Sequence, residues 1–340
     1  MLRIGEARLV DVDEPELAPG ELLIQPIVSG VCSTDVHVLK QGAAGATCPV
    51  TLGHELVGRV VESRPDGRAP APYPGEPSIV TGSIVAVEPL LPCETCDLCV
   101  RGFPNICTRS RHLGITRDGC FADYVAAPAS RAFPVGDLAP DRAIFIEPLA
   151  CALHFLQQGG VQPGMWVLVA GAGPAGLMTV QAAVAAGARV IVSEPDDARR
   201  ALAASLGASA TIDPRAGDFQ AALRDGTAGA APDVAIEITG VPGVVSQVLS
   251  SAAPGSTVVL AGICGVMGPA IDSDSLVTRE VTVRGAVASR WQFQRAAALL
   301  RDERVDTAAL VTHRRPWNEA AEMIDLAAGV DSVVKVLLDH

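Results

Sequence analysis

The sequence predicts a two-domain α/β protein in which a β-rich domain precedes a doubly wound parallel sheet. Its 340 residues suit two domains of roughly 100–200 residues each. Near residue 150, short β-type runs give way to Ala-rich helical segments that alternate with short apolar runs. A glycine-rich turn joins the first of these apolar runs to the first helical segment, an arrangement typical of nucleotide-binding parallel sheets.

The part before residue 150 is predicted to be a small barrel-like β domain. Its β-type runs at Glu21–Val28, Glu55–Glu62 and Ile79–Glu88 are separated by turns rich in Pro and Gly. This punctuation is expected of short strands in an all-β region. The stretch 63–78 is predicted to be a surface loop.

The part after residue 150 follows the alternation of βαβ units. The predicted strands are Trp166–Ala170, Arg189–Ser193, Asp233–Ile238, Thr257–Gly262 and Thr282–Ala286. The predicted helices are Ala175–Ala186, Asp197–Leu206, Phe219–Arg224 and Val244–Ala252. Because this rhythm ends near Trp291, the last segment is predicted to return to the first domain. The expected organisation is a catalytic domain at 1–150, a nucleotide-binding domain at 151–288, and a return to the catalytic domain at 289–340.

Charge and composition exclude several classes of function. The net charge of −12 argues against a nucleic-acid surface, because phosphate has to be met by positive charge. No apolar run approaches the ~18–20 residues of a membrane span, and the N-terminal segment has acids where a signal peptide would be apolar. We therefore expect a soluble, cytoplasmic protein that binds neither nucleic acid nor membrane. In that setting nine cysteines do not indicate a disulfide framework.

The glycine-rich turn at 171–176, GAGPAG, predicts a dinucleotide site. Gly171 permits a tight turn, Gly173 lets the backbone approach a pyrophosphate, and Gly176 allows a helix to pack closely on a strand. Pro174 and Ala175 begin the helix, whose N-terminus offers free N–H groups and the positive end of its dipole. Such turns also occur for purely structural reasons, so the turn alone does not establish a cofactor site.

An acidic residue at the end of the next strand supports this site and indicates the cofactor. Glu194 lies about twenty residues beyond the turn, where a carboxylate accepts hydrogen bonds from the ribose hydroxyls of the adenosine half. The same charge repels a 2′-phosphate, so NAD is predicted in preference to NADP. Arg199 lies near enough to weaken that preference. The alternative interpretation of Glu194 is a solvated acid that starts a helix.

Four clustered cysteines predict a structural metal site. Cys93, Cys96, Cys99 and Cys107 fall within one short segment. Two-residue spacers let thiolates converge on one ion, and four sulfurs satisfy tetrahedral zinc with no open position. An iron–sulfur cluster can also use closely spaced cysteines. Thr108 follows Cys107 where such clusters often have proline, so zinc is favoured.

Two further segments combine residue types that bind metals. Cys32 lies in GVCSTDVH after a predicted strand, and His54 lies in the glycine-bounded turn GHELVG. Taken singly, each is explained as well by a buried thiol or a core histidine. Together with the four cysteines, the EPL segment at 147–149 and the glycine-rich turn, they resemble the zinc-containing medium-chain dehydrogenase/reductase family, in its polyol and threonine dehydrogenase branch. The resemblance covers nearly the whole chain.

The resemblance implies a GroES-like β-barrel catalytic domain, a Rossmann domain and two zinc ions per chain. One zinc would be structural and bound by the four cysteines. The other would be catalytic, with Cys32, His54 and Glu147 as protein ligands. Glu55 would either ligate this zinc or lie beside it.

The resemblance also implies a path for the proton of the alcohol. Thr34 would take the proton and pass it through the cofactor ribose towards His37 and solvent. Asp35 would accept a hydrogen bond from the ring of His54 and fix its tautomer. The candidate pocket residues are Ser33, His54, Leu113, Arg117, Arg290 and Trp291.

The predicted reaction is the oxidation of a secondary alcohol to a ketone, on a polyol, cyclitol, sugar-derived or amino-alcohol substrate. Glu147 as a ligand favours this branch over ethanol-type substrates. The alternatives are threonine-type oxidation, a catalytically silent binding or regulatory protein, and a zinc-free reductase. The last two would be expected to lack a zinc ligand, Thr34 or the four cysteines. Relatives join their cofactor domains edge to edge, so a homotetramer or homodimer is expected.

Overall fold

The computed structural model describes residues 1–65, 78–329 and 333–340. The chain divides into two compact units, and the first consists of Met1–Glu147, Phe293–Arg301 and Leu310–His340. The second consists of Pro148–Gln292 and Asp302–Ala309. One unit is built on a mostly antiparallel sheet and the other on a parallel sheet, which confirms the predicted α/β class.

The first unit begins with short strands and helices. Its strands are β1 (Glu21–Val31), β2 (Glu55–Arg64), β3 (Ile84–Val87), β4 (Leu90–Leu91), β5 (Arg111–His112), β6 (Val125–Pro128) and β7 (Ala132–Pro134). Its helices are α1 (Ser33–Gln41), α2 (Asp97–Val100) and α3 (Pro140–Ala143). The run predicted from Ile79 starts later, at Ile84, because Gly82 makes a turn with φ +93°. Most of the predicted loop at 63–78 lies outside the described residues, since 66–77 are not among them.

The second unit alternates helices and strands, and it includes three elements that were not predicted: Ile146–Gly159, Ala210–Ile212 and Ser273–Thr278. Its helices are α4 (Ile146–Gly159), which starts at the end of the first unit, α5 (Pro174–Ala185), α6 (Asp197–Ser205), α7 (Phe219–Gly226), α8 (Pro242–Ser251) and α9 (Ser273–Thr278). Its strands are β8 (Trp166–Ala170), β9 (Arg189–Ser193), β10 (Ala210–Ile212), β11 (Val234–Glu237), β12 (Thr257–Leu260) and β13 (Thr282–Gly285). The chain then contributes α10 (Phe293–Arg301), β14 (Val311–Pro316), α11 (Ala320–Gly329) and β15 (Lys335–Asp339) to the first unit.

Strand β1 organises the sheet of the first unit. The strand order is β14-β15-β1-β2-β3-β7, and β6 also pairs with β1. The first half of β1 pairs with β6 and its second half with β15, while β2 runs along the other side. The end of β1 therefore lies between the start of β2 and the start of β15, which brings together residues far apart in the sequence.

The second unit has a six-stranded parallel sheet in the order β10-β9-β8-β11-β12-β13. The order reverses between β8 and β11, and ligands of such sheets bind outside the carboxyl ends of the strands at this point. Helix α5 begins directly after β8 and is buried along most of its length. None of the helices among the described residues is long and apolar enough to cross a membrane.

Candidate metal and dinucleotide sites

Three side chains of different chemistry converge where β1 ends and β2 begins. Cys32 follows β1, and His54 and Glu55 stand at the start of β2. One ligand atom from each lies within 4.8 Å of those of the other two. A thiol, an imidazole and a carboxylate are the donor types that zinc prefers, so the residues fit this metal.

The backbone makes room for this cluster opposite Glu55. Gly30 pairs with Glu55 across the β1–β2 ladder. A Cβ atom at Gly30 would stand 2.0 Å from Oε2 of Glu55. A larger residue at Gly30 would therefore displace the carboxylate.

A buried ion pair holds Glu55 from the other side. Nζ of Lys335, the first residue of β15, contacts Oε2 of Glu55 and donates to the carbonyl of Val31 at 3.2 Å. Burial opposes the charge on Lys335, but the carboxylate of Glu55, with Cys32, raises its pKa above the ordinary value. One oxygen of Glu55 is therefore already paired with a cation.

Asp35 contacts the other two residues of the cluster, Cys32 and His54. Its Oδ2 atom accepts a hydrogen bond from the backbone N–H of Cys32 at 2.9 Å, and its Oδ1 atom lies 3.3 Å from Nδ1 of His54. The second contact is too poorly aligned for a hydrogen bond but close enough for strong attraction. Burial lowers the pKa of His54, and the attraction of Asp35 overcomes this and raises it well above the ordinary value. The hydrogen bond from the His54 ring to Asp35 stays a prediction.

A second imidazole stands beside His54. The rings of His54 and His112 meet edge to face, with centroids 5.5 Å apart. Nδ1 of His112 lies 2.7 Å from the carbonyl oxygen of Leu113. Burial and the neighbouring His54 lower the pKa of His112 to about 4.

The predicted proton-relay residues lie on helix α1. Oγ1 of Thr34 is 3.7 Å from Sγ of Cys32, and Thr34 is partly buried. His37, three residues further on, is exposed. Residues three apart share one face of a helix, so both side chains lie on the same face of α1. Their role as a proton relay stays a prediction.

Glu147 lies in the first turn of α4 and outside the cluster of Cys32, His54 and Glu55. Its charge nevertheless acts on Lys335 and contributes to the raised pKa of that residue. The assignment of Glu147 as a zinc ligand stays a prediction.

The four clustered cysteines form a compact sulfur site. Their Sγ···Sγ distances include 3.5 Å for Cys96–Cys99 and for Cys93–Cys107, 3.7 Å for Cys96–Cys107 and 4.0 Å for Cys93–Cys99. A tetrahedron with Zn–S bonds of ~2.3 Å has edges of about 3.8 Å. Backbone hydrogen bonds, first that of Thr95, lower the pKa of Cys93 to about 5, whereas burial raises that of Cys99 to about 12. The set fits a cation that would let all four thiols ionise.

Arg131 ties this sulfur site to the rest of the first unit. Its guanidinium donates to Glu88 at 3.0 Å and to Glu94 at 2.6 Å. Glu94 follows Cys93 and has φ +60°, so the arginine holds a strained turn between two of the cysteines. The Arg131 and Glu88 side chains are each 7% exposed.

The glycine-rich turn of the second unit has the geometry of a phosphate cradle. Gly171 adopts φ +106°, and a Cβ atom at Gly176 would stand 2.0 Å from the carbonyl oxygen of Gly171. A Cβ atom at Gly173 would meet nothing within 4 Å, so space is open beside it. Pro174 and Ala175 begin α5. The N–H groups in the first turn of a helix have no carbonyl partner within that helix. The residues fit a dinucleotide pyrophosphate.

Glu194 stands beside this cradle and is buried. Its Oε2 atom accepts from the N–H of Ala172 at 2.7 Å, and its Oε1 atom accepts from that of Asp196 at 3.0 Å. Asp196 in turn caps α6 by accepting from the N–H of Arg199 at 2.8 Å. The carboxylate is therefore fixed in orientation, and each oxygen keeps a second lone pair.

Three pocket candidates and one residue that was not predicted also lie in the first unit. Arg117 pairs with Glu21 at 2.7 Å, so its charge is already balanced. Leu113 is buried and Ser33 exposed. Lys335 was not predicted, although a charge inside the apolar run VVKVLL at 333–338 is a signal for a buried, paired lysine.

The comparisons with known proteins agree with both units. Residues 18–137 match the family described as alcohol dehydrogenase GroES-like domain, and residues 174–302 match the zinc-binding dehydrogenase family. An L-threonine 3-dehydrogenase of Pyrococcus abyssi is 33% identical over 315 residues, which are 91% of this chain and 88% of that protein. A scyllo-inosose 3-dehydrogenase of Thermotoga maritima is 37% identical over 266 residues, 72% of this chain and 66% of that one.

A solved structure shows the same architecture over the whole length. A Sinorhizobium meliloti protein described as a zinc-binding dehydrogenase, with NADP bound, has 35% identity and a TM-score of 0.91, covering 100% of this chain and 97% of that one. A GroES-like domain and a nucleotide-binding parallel sheet in one chain define the medium-chain dehydrogenases. This chain belongs to the zinc-binding alcohol dehydrogenase family of that class. It is an oxidoreductase.

Proposed function

We propose that the protein oxidises a secondary alcohol to a ketone with NAD and zinc, on a polyol, cyclitol, sugar-derived or amino-alcohol substrate. The convergence of Cys32, His54 and Glu55 within 4.8 Å carries this proposal. It favours an enzyme over a silent binding protein, because each residue that the chemistry requires is retained. The four cysteines, whose separations suit a structural zinc, also argue against a zinc-free reductase.

The residues of the first unit can each take one part of the reaction. A zinc ion held by Cys32, His54 and Glu147 would lower the pKa of the substrate hydroxyl, and NAD would accept the hydride. Oγ1 of Thr34 would accept the hydroxyl proton while its own proton passes through the cofactor ribose to His37, which would deliver it to solvent. Asp35 would keep the ring of His54 in place.

We propose NAD as the preferred cofactor. The fixed carboxylate of Glu194 supports this, since it offers lone pairs to ribose hydroxyls and repels a 2′-phosphate. Gly171, Gly173 and Gly176 would cradle the pyrophosphate, and Arg199 would lie near the adenosine. Assays with both cofactors test the preference: kcat/KM with NAD is expected to exceed that with NADP, and the opposite order would contradict it.

The substrate can be identified by a screen of NADH formation over polyols, cyclitols, sugars and amino alcohols. A second candidate, threonine-type oxidation, is favoured by the 33% identity to an L-threonine 3-dehydrogenase. Turnover of threonine but not of polyols would support that candidate. Turnover of ethanol alone would contradict both.

The third zinc ligand is tested by two matched variants. We propose Glu147, because Lys335 already balances the charge of Glu55. Zinc analysis of the wild-type protein is expected to give about two ions per chain, one in each kind of site. Glu147→Gln is expected to lose one ion together with turnover, whereas Glu55→Gln is expected to keep both. The reverse pattern would make Glu55 the ligand.

We also propose a cytoplasmic homodimer or homotetramer. All nine cysteines are free thiols, which suits a reducing compartment. Strand β13 stands at an edge of the parallel sheet, and apolar side chains of neighbouring segments are exposed. These side chains, which we call the β13 patch, are Ile263, Val266, Met267, Ile271 and Val277.

A further inference from the structure

His112 is a polar residue next to the metal-binding cluster, and the proposed reaction does not use it. It ends strand β5, where it pairs with Leu90 of β4. Its ring meets the ring of His54 edge to face, with centroids 5.5 Å apart. His112 therefore stands one side chain away from a proposed zinc ligand.

The backbone of His112 is held rigidly. Its N–H donates to Oγ1 of Thr116 at 2.9 Å. Its carbonyl oxygen accepts from the N–H groups of Ile115, Thr116 and Arg117 at 3.0–3.2 Å. The next residue, Leu113, is buried in the core and donates to the carbonyl of Pro89 at 3.0 Å. The ring is thus presented by a fixed turn.

One hydrogen bond determines the tautomer of the ring. A carbonyl oxygen can only accept, so the 2.7 Å contact with Leu113 places the hydrogen on Nδ1. In the neutral ring, Nε2 then carries a lone pair and can only accept. Within the described part of the chain Nε2 makes no hydrogen bond, and the side chain is only partly buried. Nε2 is therefore an acceptor of fixed position on a side chain that is partly exposed.

We propose that Nε2 of His112 accepts a hydrogen bond from a donor group on the carbon next to the one that is oxidised. The donor is a second hydroxyl in a polyol or cyclitol, or an ammonium group in an amino alcohol. Because the ring adjoins His54, it can reach a group beside the reacting hydroxyl. A simple secondary alcohol leaves this acceptor without a partner. His112 is thus a specificity-determining residue, and this inference rests on the proposed function.

A pair of variants separates the two ring nitrogens. The amide of His112→Asn can keep the bond to the Leu113 carbonyl but does not extend to the position of Nε2. The longer His112→Gln places an amide oxygen near the position of Nε2. The measured quantity is kcat/KM for 2,3-butanediol, 3-amino-2-butanol and 2-butanol, with zinc content and thermal unfolding recorded for each protein.

The expected result is a change in ratio between substrates. A site built to bind a substrate donor discriminates strongly against an analogue without it. His112→Asn is expected to lower the ratio of kcat/KM for the preferred two-donor substrate over 2-butanol about tenfold or more, and His112→Gln to keep it within about threefold. A change in the ratio for 2,3-butanediol would identify the donor as a hydroxyl, and a change in the ratio for 3-amino-2-butanol would identify it as an ammonium group.

Two outcomes would overturn this inference and leave the proposed function intact. One is an unchanged ratio in a zinc-loaded Asn variant. The other is an equal loss on all three substrates in both variants, which would mark a purely structural role. If the Asn variant loses zinc, His112→Leu, which removes both ring nitrogens, is compared with His112→Gln instead. Failure of the zinc-loaded wild-type protein to oxidise any alcohol in the wider screen would instead overturn the proposed function, and the inference with it.

Discussion

Lys335 and Glu55 form an ion pair whose side chains are 3% and 1% exposed. Two charges removed from water are tolerated only when they are paired and hydrogen-bonded. Lys335 meets this condition with the carboxylate of Glu55 and the carbonyl of Val31. The pair also places a positive charge near Cys32.

Removal of the lysine alone should be costly. Lys335→Met leaves Glu55 buried without its partner, and the free energy of unfolding is expected to fall by about 3–5 kcal/mol. The double variant Lys335→Met/Glu55→Gln, which removes both charges, is expected to recover part of this loss. Urea unfolding of the zinc-loaded proteins measures both values. A single variant as stable as the wild type would show that the pair does not hold Glu55.

Among the elements, the segment of the four cysteines depends most on contacts outside itself. It contains only a four-residue helix, α2, and a single 3-10 turn at Pro104–Ile106, so most of its order has to come from a metal and from side chains that reach it. Arg131 supplies such contacts with Glu88 and Glu94. Residues that hold the ligands of a metal in place affect the affinity for that metal, in addition to the ligands themselves.

Zinc release should therefore depend on Arg131. Arg131→Met is expected to weaken zinc binding at the four cysteines about tenfold, measured as faster transfer of one zinc per chain to a chromophoric chelator. Arg101→Met is the matched control in the same segment, because its pair with Asp97 is exposed, at 61% and 78%, and such pairs contribute little. Equal release from both variants would contradict the role of Arg131.

The elements also show how far the sequence predicts the fold. The strands Trp166–Ala170 and Arg189–Ser193 have the predicted bounds, because continuous apolar runs between turns identify buried parallel strands. Ala210–Ile212 was missed since three residues are too few to show a period.

In the site, the four clustered cysteines can be recognised from their spacing alone. The ion pair of Lys335 cannot be recognised in this way, because 280 residues separate Lys335 from Glu55 and only the pairing of β1 with β15 brings them together.

At the level of the whole molecule, the exposed edge of the parallel sheet is the feature that remains to be covered. Strand β13 pairs with β12 on one side and with no described strand on the other. An unpaired edge invites pairing with another chain. In the nearby β13 patch, Met267 is 94% and Val277 74% exposed, and exposed apolar patches of this kind mark interaction surfaces.

Light scattering after gel filtration tests whether a second copy of this chain covers the edge. The mass of the wild-type protein is expected to be two or four times 35.0 kDa. The double variant Met267→Glu/Val277→Glu is expected to have a mass closer to that of a single chain, because unpaired charges in an interface core oppose association. Val12→Glu, at another exposed apolar position (68%), should leave the mass unchanged because it lies in the other unit. A monomeric wild type, or a double variant that stays assembled, would place the contact elsewhere. The residues of the proposed metal cluster all belong to the first unit, so the dissociated variant should retain its zinc.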